Sequence, residues 1–158
     1  MKSLLKIGGA IVLIAMIGAC KSKSGNVAQQ GNISQQTEGI TEKYWKLIEI
    51  NGKPVVMSES AGGRDAFIIL KNEDNRFNGN GGCNTLAGAY ELDPARYRIR
   101  FSQVVSTMMA CLNMEIEDEM KQMLGMVDNY SLSDDGKYLS LNRARMAPLA
   151  RFEVVYLK

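Results

Sequence analysis

Short apolar or alternating runs, each closed by turn residues, constrain this chain more than any other feature. YWKLIEI (Tyr44 to Ile50) is followed by Asn51-Gly52, AFIIL (Ala66 to Leu70) by Glu73-Asp74-Asn75, and RFNG (Arg76 to Gly79) runs into a glycine cluster. YRIRF (Tyr97 to Phe101), NYSL (Asn129 to Leu132), YLSLN (Tyr138 to Asn142, after Asp135-Gly136) and RFEVVYL (Arg151 to Leu157) follow. Period-2 alternation bounded by Asn-Gly and Asp-Gly is the signature of antiparallel hairpins, and in the last run it places Phe152, Val154 and Tyr156 on one face. The spacing between runs is too short for parallel crossovers, which argues against a doubly wound fold. One segment changes period: Ile116, Met120, Met123, Leu124 and Val127 recur at helical spacing. Asn113 is placed to cap it, Glu115, Glu117 and Asp118 lie near its positive end, and Gly125 can stop it. The expected class is α+β, with an antiparallel sheet packed on one amphipathic helix.

The amino terminus reads separately. Lys2 and Lys6 form a basic region, and Ile7 to Ala19 is an apolar run of 13 residues. As a helix it would reach only ~20 Å, against a hydrocarbon core of ~30 Å, so residues 1–19 read as a secretory signal peptide and not as an anchor. It ends in Ile17-Gly18-Ala19-Cys20, which resembles the bacterial lipobox, whose cysteine receives diacylglycerol before cleavage ahead of it. The alternative is a secreted protein with an incidental cysteine at an ordinary cleavage site. Lipidation of Cys20 would hold the chain to a membrane, since each buried methylene adds ~0.8 kcal/mol. Residues 20–41 form a lipidated tether: the stretch after Cys20 is rich in Ser, Gln, Asn and Gly, with apolar residues too isolated to offset ordering entropy. Lys21 stands where Asp would resemble an inner-membrane retention signal, which points to the outer membrane of the bacterial envelope. The folded unit is then residues 42–158.

The chain has no histidine, which removes Ser/His/Asp and Cys/His triads and imidazole metal sites. Its formal charge is +2, and loss of Lys2 and Lys6 with the signal peptide leaves 2 − 2 = 0, so no nucleic-acid field is expected. Gly79 to Gly82 (GNGG) lacks the Lys-Ser/Thr and the helix of a phosphate loop and reads as a tight bend in a sheet. Glu115, Glu117, Asp118 and Glu119 read as the solvated face of the helix, with Glu117 paired to Lys121 at i, i+4. Of six methionines between Met108 and Met126, Met120 and Met123 share the apolar phase and read as core. Trp45 reads as core, and KNEDNRFNGN (Lys71 to Asn80) as a turn, because Arg76 falls where a calcium loop needs an oxygen ligand. No metal or cofactor is implied.

Cys83 and Cys111 are the cysteines downstream of the lipid site. In an oxidising envelope a disulfide is the natural reading, and closing this loop is worth ~3 to 4 kcal/mol in the chain-entropy model. Two buried free thiols are the alternative, since spacing alone does not bring their Cα atoms within bonding distance. No CxxC is present, which disfavours a thioredoxin-like exchanger.

GNGGCNTLAGAYELD (Gly79 to Asp93), IRFSQVVSTMMAC (Ile99 to Cys111), the acidic helix, YSLSDDGKYLSL (Tyr130 to Leu141) and WKLIEINGKPV (Trp45 to Val55) together resemble the META domain family, which includes the HslJ-type envelope lipoproteins. The resemblance implies a strongly bent, cracked-barrel-like sheet around one helix, with Cys83 and Cys111 matching the paired family cysteines. Asn84, Gly88 and Thr107 match its polar and glycine positions, with roles in fold geometry. It implies heat-shock or antibiotic-tolerance contexts and brings no catalytic residues. RARMAPLAR (Arg143 to Arg151) departs from the short hairpin usual in the family, leaving that edge open. Two functions compete: a non-enzymatic, membrane-held lipoprotein binding an envelope protein or small apolar ligand on the open side of its sheet, and a thiol-dependent enzyme or redox factor using Cys83 or Cys111.

Overall fold

The computed structural model describes residues 39–56, 64–112, 114–145 and 147–156. Nine strands are present among them: β1 (Tyr44–Ile50), β2 (Lys53–Pro54), β3 (Ala66–Lys71), β4 (Arg76–Gly81), β5 (Thr85–Asp93), β6 (Arg98–Ser106), β7 (Asn129–Leu132), β8 (Tyr138–Asn142) and β9 (Ala150–Val155). The helix α1 (Glu115–Leu124) lies between β6 and β7. All pairings are antiparallel, in the order β6-β5-β4-β3-β1-β9-β8-β7, with β2 folded back on β1. The two ends of the sheet meet where Tyr130 N–H donates to the Tyr97 carbonyl at 2.9 Å, so the sheet nearly closes on itself around its core. The expected α+β class, bent sheet and single helix are what the chain forms.

Turn chemistry accounts for the hairpins. Asn51 and Gly52 both have positive φ (51° and 77°), the geometry an Asn-Gly hairpin requires. The β4–β5 turn is the glycine bend: Gly82 has φ 103°, its N–H donates to Asn80 Oδ1 at 2.7 Å, and Gly81 N–H donates to the Asn84 carbonyl. KNEDNRFNGN supplies the β3–β4 turn and β4 itself. The strand β5 continues the glycine bend to Asp93 and was not among the alternating runs, because Gly88 interrupts its pattern. A Cβ on Gly88 would lie 2.5 Å from Phe77 Cε1 and 2.8 Å from the Ser102 carbonyl, and the β5–β6 register shifts there, bending the sheet over the core.

Alternation delivers the core. Ala66, Ile68 and Leu70 from β3, Leu86 and Tyr90 from β5, and Ala150, Phe152 and Val154 from β9 are buried together with Met120, Met123 and Leu124 of α1 and Val127. Trp45 is fully buried and donates Nε1–H to the Ile40 carbonyl at 2.7 Å. That bond corrects the tether boundary: Ile40 and Thr41, placed in the tether on composition, are buried parts of the domain. Tyr156 is a second correction, since it lies past the end of β9 and is exposed. Tyr97 is a third, a left-handed turn residue (φ 54°) and not the first residue of β6. Asn113 lies outside the described residues; Met114 precedes the first turn of α1 without a side-chain cap, and Gly125 ends it in right-handed geometry. The basic tail segment folds back on β7, where the Asp128 carboxylate accepts from Ala144 N–H at 2.8 Å.

Candidate functional site

Cys83 and Cys111 are bonded, with Cα atoms 6.2 Å apart and a separation of 28 residues. The bond joins the glycine bend to the segment between β6 and α1. Beside it, Asn84 uses its whole side chain: Oδ1 accepts from Thr107 Oγ1 and from Met109 N–H, both at 2.7 Å, while Nδ2 donates to the Met109 carbonyl and to Glu117 Oε1, both at 3.1 Å. Asn84 N–H donates to Glu117 Oε2 at 2.7 Å. One amide therefore grips both backbone groups of Met109, and one carboxylate grips both donors of Asn84.

Glu117 overturns the reading of the acidic residues as a solvated face. Glu117 is 1% exposed, packed on Gly81, where a Cβ would lie 2.5 Å from Glu117 Cγ. The Lys121 pairing expected at i, i+4 is present at 3.4 Å, and Asp118 shares the same ammonium at 3.0 Å. Hydrogen bonding to Asp118, followed by the attraction of Asp118 and Glu117, raises the Lys121 pKa and holds it charged. Glu115 and Asp118 do face solvent, and Glu119 accepts from Asn51 Nδ2 at 3.1 Å. A bent sheet brings the glycine bend under the helix, and a carboxylate there can serve donors that no backbone acceptor reaches.

The segment held by this cluster presents apolar side chains outward. Met108 is 99% and Leu112 97% exposed, with Met109 and Val105 also exposed. By contrast Met120 and Met123 are fully buried, as their phase predicts.

At the other end of β6, where the sheet closes, an open cleft of about 830 Å³ is lined by Gly39, Lys43, Tyr97, Tyr130 and the β7–β8 segment from Ser131 to Gly136. Tyr97 and Tyr130 stand 5.9 Å apart at 59°, and the buried Tyr130 hydroxyl has no hydrogen-bond partner among the described residues. Burial, with smaller effects of Tyr97 and Asp93, pushes the Tyr130 phenol up, so it stays protonated. Asp135 is occupied, accepting from Ser133 Oγ and Lys137 N–H, which lower its pKa.

A family model, the META domain, matches residues 38–156. The chain belongs to the META domain family. The matched region begins where Ile40 enters the core, in keeping with the corrected boundary. A solved structure, the NMR structure of a protein from Burkholderia xenovorans, shares this fold with a TM-score of 0.60 and 20% identity, covering 85% of this chain and 96% of that one. A crystal structure of a DUF4847 family protein from Bacteroides vulgatus ATCC 8482 matches with a TM-score of 0.48 and 14% identity, over 75% of this chain and 95% of that one. No curated protein sequence matches.

Of the residues singled out from sequence, Cys83, Cys111, Asn84 and Thr107 of this META domain come together in one cluster. Cys20 lies outside the described residues. Glu117 and Tyr130 were missed as site residues. Glu117 carried a signal, standing three residues before Met120 and seven before Leu124, on the inward face of the helix. Tyr130 carried none beyond its place in an alternating run.

Proposed function

We propose that this chain is a non-enzymatic envelope lipoprotein, held to the membrane through lipid on Cys20, whose META domain docks an apolar groove of a partner protein with the segment 107–112. The observation that carries the reading is the pairing of near-complete exposure at Met108 and Leu112 with a backbone fixed between them, by Asn84 at Met109 and by Cys83 at Cys111. Exposed apolar side chains on a rigid support mark interaction surfaces, because the loop ordering that usually opposes association is already complete. Methionine adds adaptability to the partner's contour. Against the competing thiol chemistry stands the use of Cys83, buried, in the crosslink that fixes the segment.

Photocrosslinking residues placed at Met108 and at Leu112 in intact cells test the docking surface, with exposed Val56 as the control position. A discrete adduct from 108 and 112, absent at 56 and reduced by substituting the neighbouring apolar residue with Ser, is expected. Identical adduct patterns at all three positions defeat the assignment. Cys20→Ser should leave an uncleaved, unlipidated precursor; normal mature protein in the detergent phase removes the lipoprotein reading.

A further inference from the structure

Where the chain enters the domain decides which end can face a membrane. Residues 21–38 separate Cys20 from Gly39, and even fully extended they span only ~60 Å, so a lipid on Cys20 keeps the domain at a millimolar-range effective concentration beside the bilayer. Gly39 lines the cleft together with Tyr97 and the β7–β8 segment. Tyr138 closes that segment, its carbonyl accepting from Ser133 N–H at 2.9 Å, and Tyr156 lines an adjoining groove with Thr41 and Lys43. The tether therefore joins the sheet at the end that carries these three tyrosines. Met108 and Leu112 lie beyond the far end of β6, whose nine residues run roughly 30 Å.

The two ends differ in chemistry. Tyr97, Tyr138 and Tyr156 are 44%, 43% and 71% exposed, and no other aromatic side chain among the described residues is as open. A phenol joins an apolar ring to a polar tip, the combination that settles at the headgroup level of a bilayer. Charges around these rings are matched, Lys71 with Glu42, Arg96 with Asp93 and Lys137 with Asp135, so no strong field there opposes an anionic surface. At the far end, α1 follows Leu112 with Glu115, Glu117 and Asp118 in its first turn against the one base Lys121, a net negative charge that such a surface repels. Given the lipid anchor proposed at Cys20, we infer that the tether end seats on the phospholipid interface through Tyr97, Tyr138 and Tyr156. The segment 107–112 is thereby turned away from the bilayer, and its partner meets it from the aqueous side.

The orientation is read by amide relaxation enhancement in the full-length chain, purified from membranes and carried in nanodiscs of phosphatidylethanolamine and phosphatidylglycerol with a gadolinium chelate on a small fraction of headgroups. Enhancement falls with the sixth power of distance, so across ~30 Å it should be at least ~10-fold larger at Tyr97, Gly136 and Tyr138 than at Met109 and Leu112. Combining Tyr138→Ser with Tyr156→Ser should lower the enhancement at Tyr97 roughly 3-fold or more through loss of two interfacial rings, with the rest of the amide spectrum kept and the chain still on the nanodisc. Equal enhancement at the two ends, larger enhancement at 107–112, or an unchanged value at Tyr97 in the Ser variant overturns the orientation and leaves the anchor standing. A chain that does not stay with the nanodiscs defeats the Cys20 anchor, and the orientation with it.

Discussion

Asn84→Asp is the sharpest test of the buried cluster, because it changes charge and donors while keeping shape. In the native domain Nδ2 donates to the Met109 carbonyl and to Glu117 Oε1, each at 3.1 Å. The substitution replaces that nitrogen with oxygen, so both bonds are lost and two carboxylate oxygens face each other. A neutral bond of about 1 kcal/mol and a bond to a charged acceptor of about 2 kcal/mol give a deficit of roughly 3 kcal/mol before any like-charge repulsion. For a domain of this size that is a fall in melting temperature of about 12 °C. The deficit depends on pH with a definite sign. Two adjacent carboxylates cannot both ionise without cost, so the folded variant holds a proton that the unfolded chain releases near pH ~4. Stability from that proton is fully present below the unfolded pKa values and is lost as pH rises through the higher folded value of the pair. Thermal unfolding of wild type, Asn84→Asp and Asn84→Ala from pH 4 to 8 reads this out. The Asp variant should approach the Ala variant or exceed it at pH 4 and fall below it at pH 7. A melting temperature for Asn84→Asp within about 2 °C of wild type at pH 7 would refute the buried network, given the scale that 3 kcal/mol sets.

Replacing both Cys83 and Cys111 with Ser should lower the melting temperature by roughly 10 to 15 °C with unchanged amide chemical-shift topology, since the closed loop is worth about 3 to 4 kcal/mol. An unchanged calorimetric transition would reopen thiol chemistry. Gly81→Ala should destabilise by about 1 to 3 kcal/mol, because its Cβ would meet Glu117 2.5 Å away and force α1 outward; unaltered urea unfolding would show that the helix is not seated there. Asp128 has a lowered pKa, held down first by Ala144 N–H and then by Asn129, with Arg98 and Arg100 adding to it. Its stabilisation is present above the unfolded value and lost as pH falls through the lower folded value, so Asp128→Asn should flatten the acid limb of the melting-temperature profile; a limb as steep as wild type would count against the tail anchor.

Legibility in the sequence divided along physical lines. Hairpins were readable where the turn demands a particular residue, as at Asn51-Gly52, and where side chains alternate strictly, as in Ala66, Ile68 and Leu70. β5 escaped because Gly88 breaks its alternation, and its reason lies in close approach to Phe77 and Ser102, which only the folded chain assembles. The tether boundary failed because Ile40 looked isolated, while a single hydrogen bond from Trp45 ties it into the core. At the site, Glu117 has the inward phase of Met120 and Leu124, but a charged side chain at such a position ordinarily signals solvent. The partner that makes its burial tolerable, Asn84, sits 33 residues earlier across a bend. Met108 and Leu112 fail in the opposite sense, being apolar yet outside, and they lack the helical phase that marks Met120 and Met123 of α1 as core.

Stability alone does not explain a carboxylate beneath the glycine bend. A buried charge can often be replaced by well-packed apolar groups at no loss, whereas removing one partner of such a network is costly. What the carboxylate supplies here is direction. By accepting from Asn84 N–H and Nδ2 it fixes the amide so that Oδ1 and Nδ2 meet Met109 N–H and carbonyl, and the crosslink to Cys83 fixes the chain two residues further on. The backbone is thereby fixed at Met109 and Cys111, and the adjoining Met108 and Leu112 stay exposed where collapse onto the core would otherwise be favoured. The same bonds remove backbone freedom in the free domain, at ~1 to 2 kcal/mol for each residue so ordered. Polar burial and apolar exposure are thus two sides of one device, since the first holds the second in place.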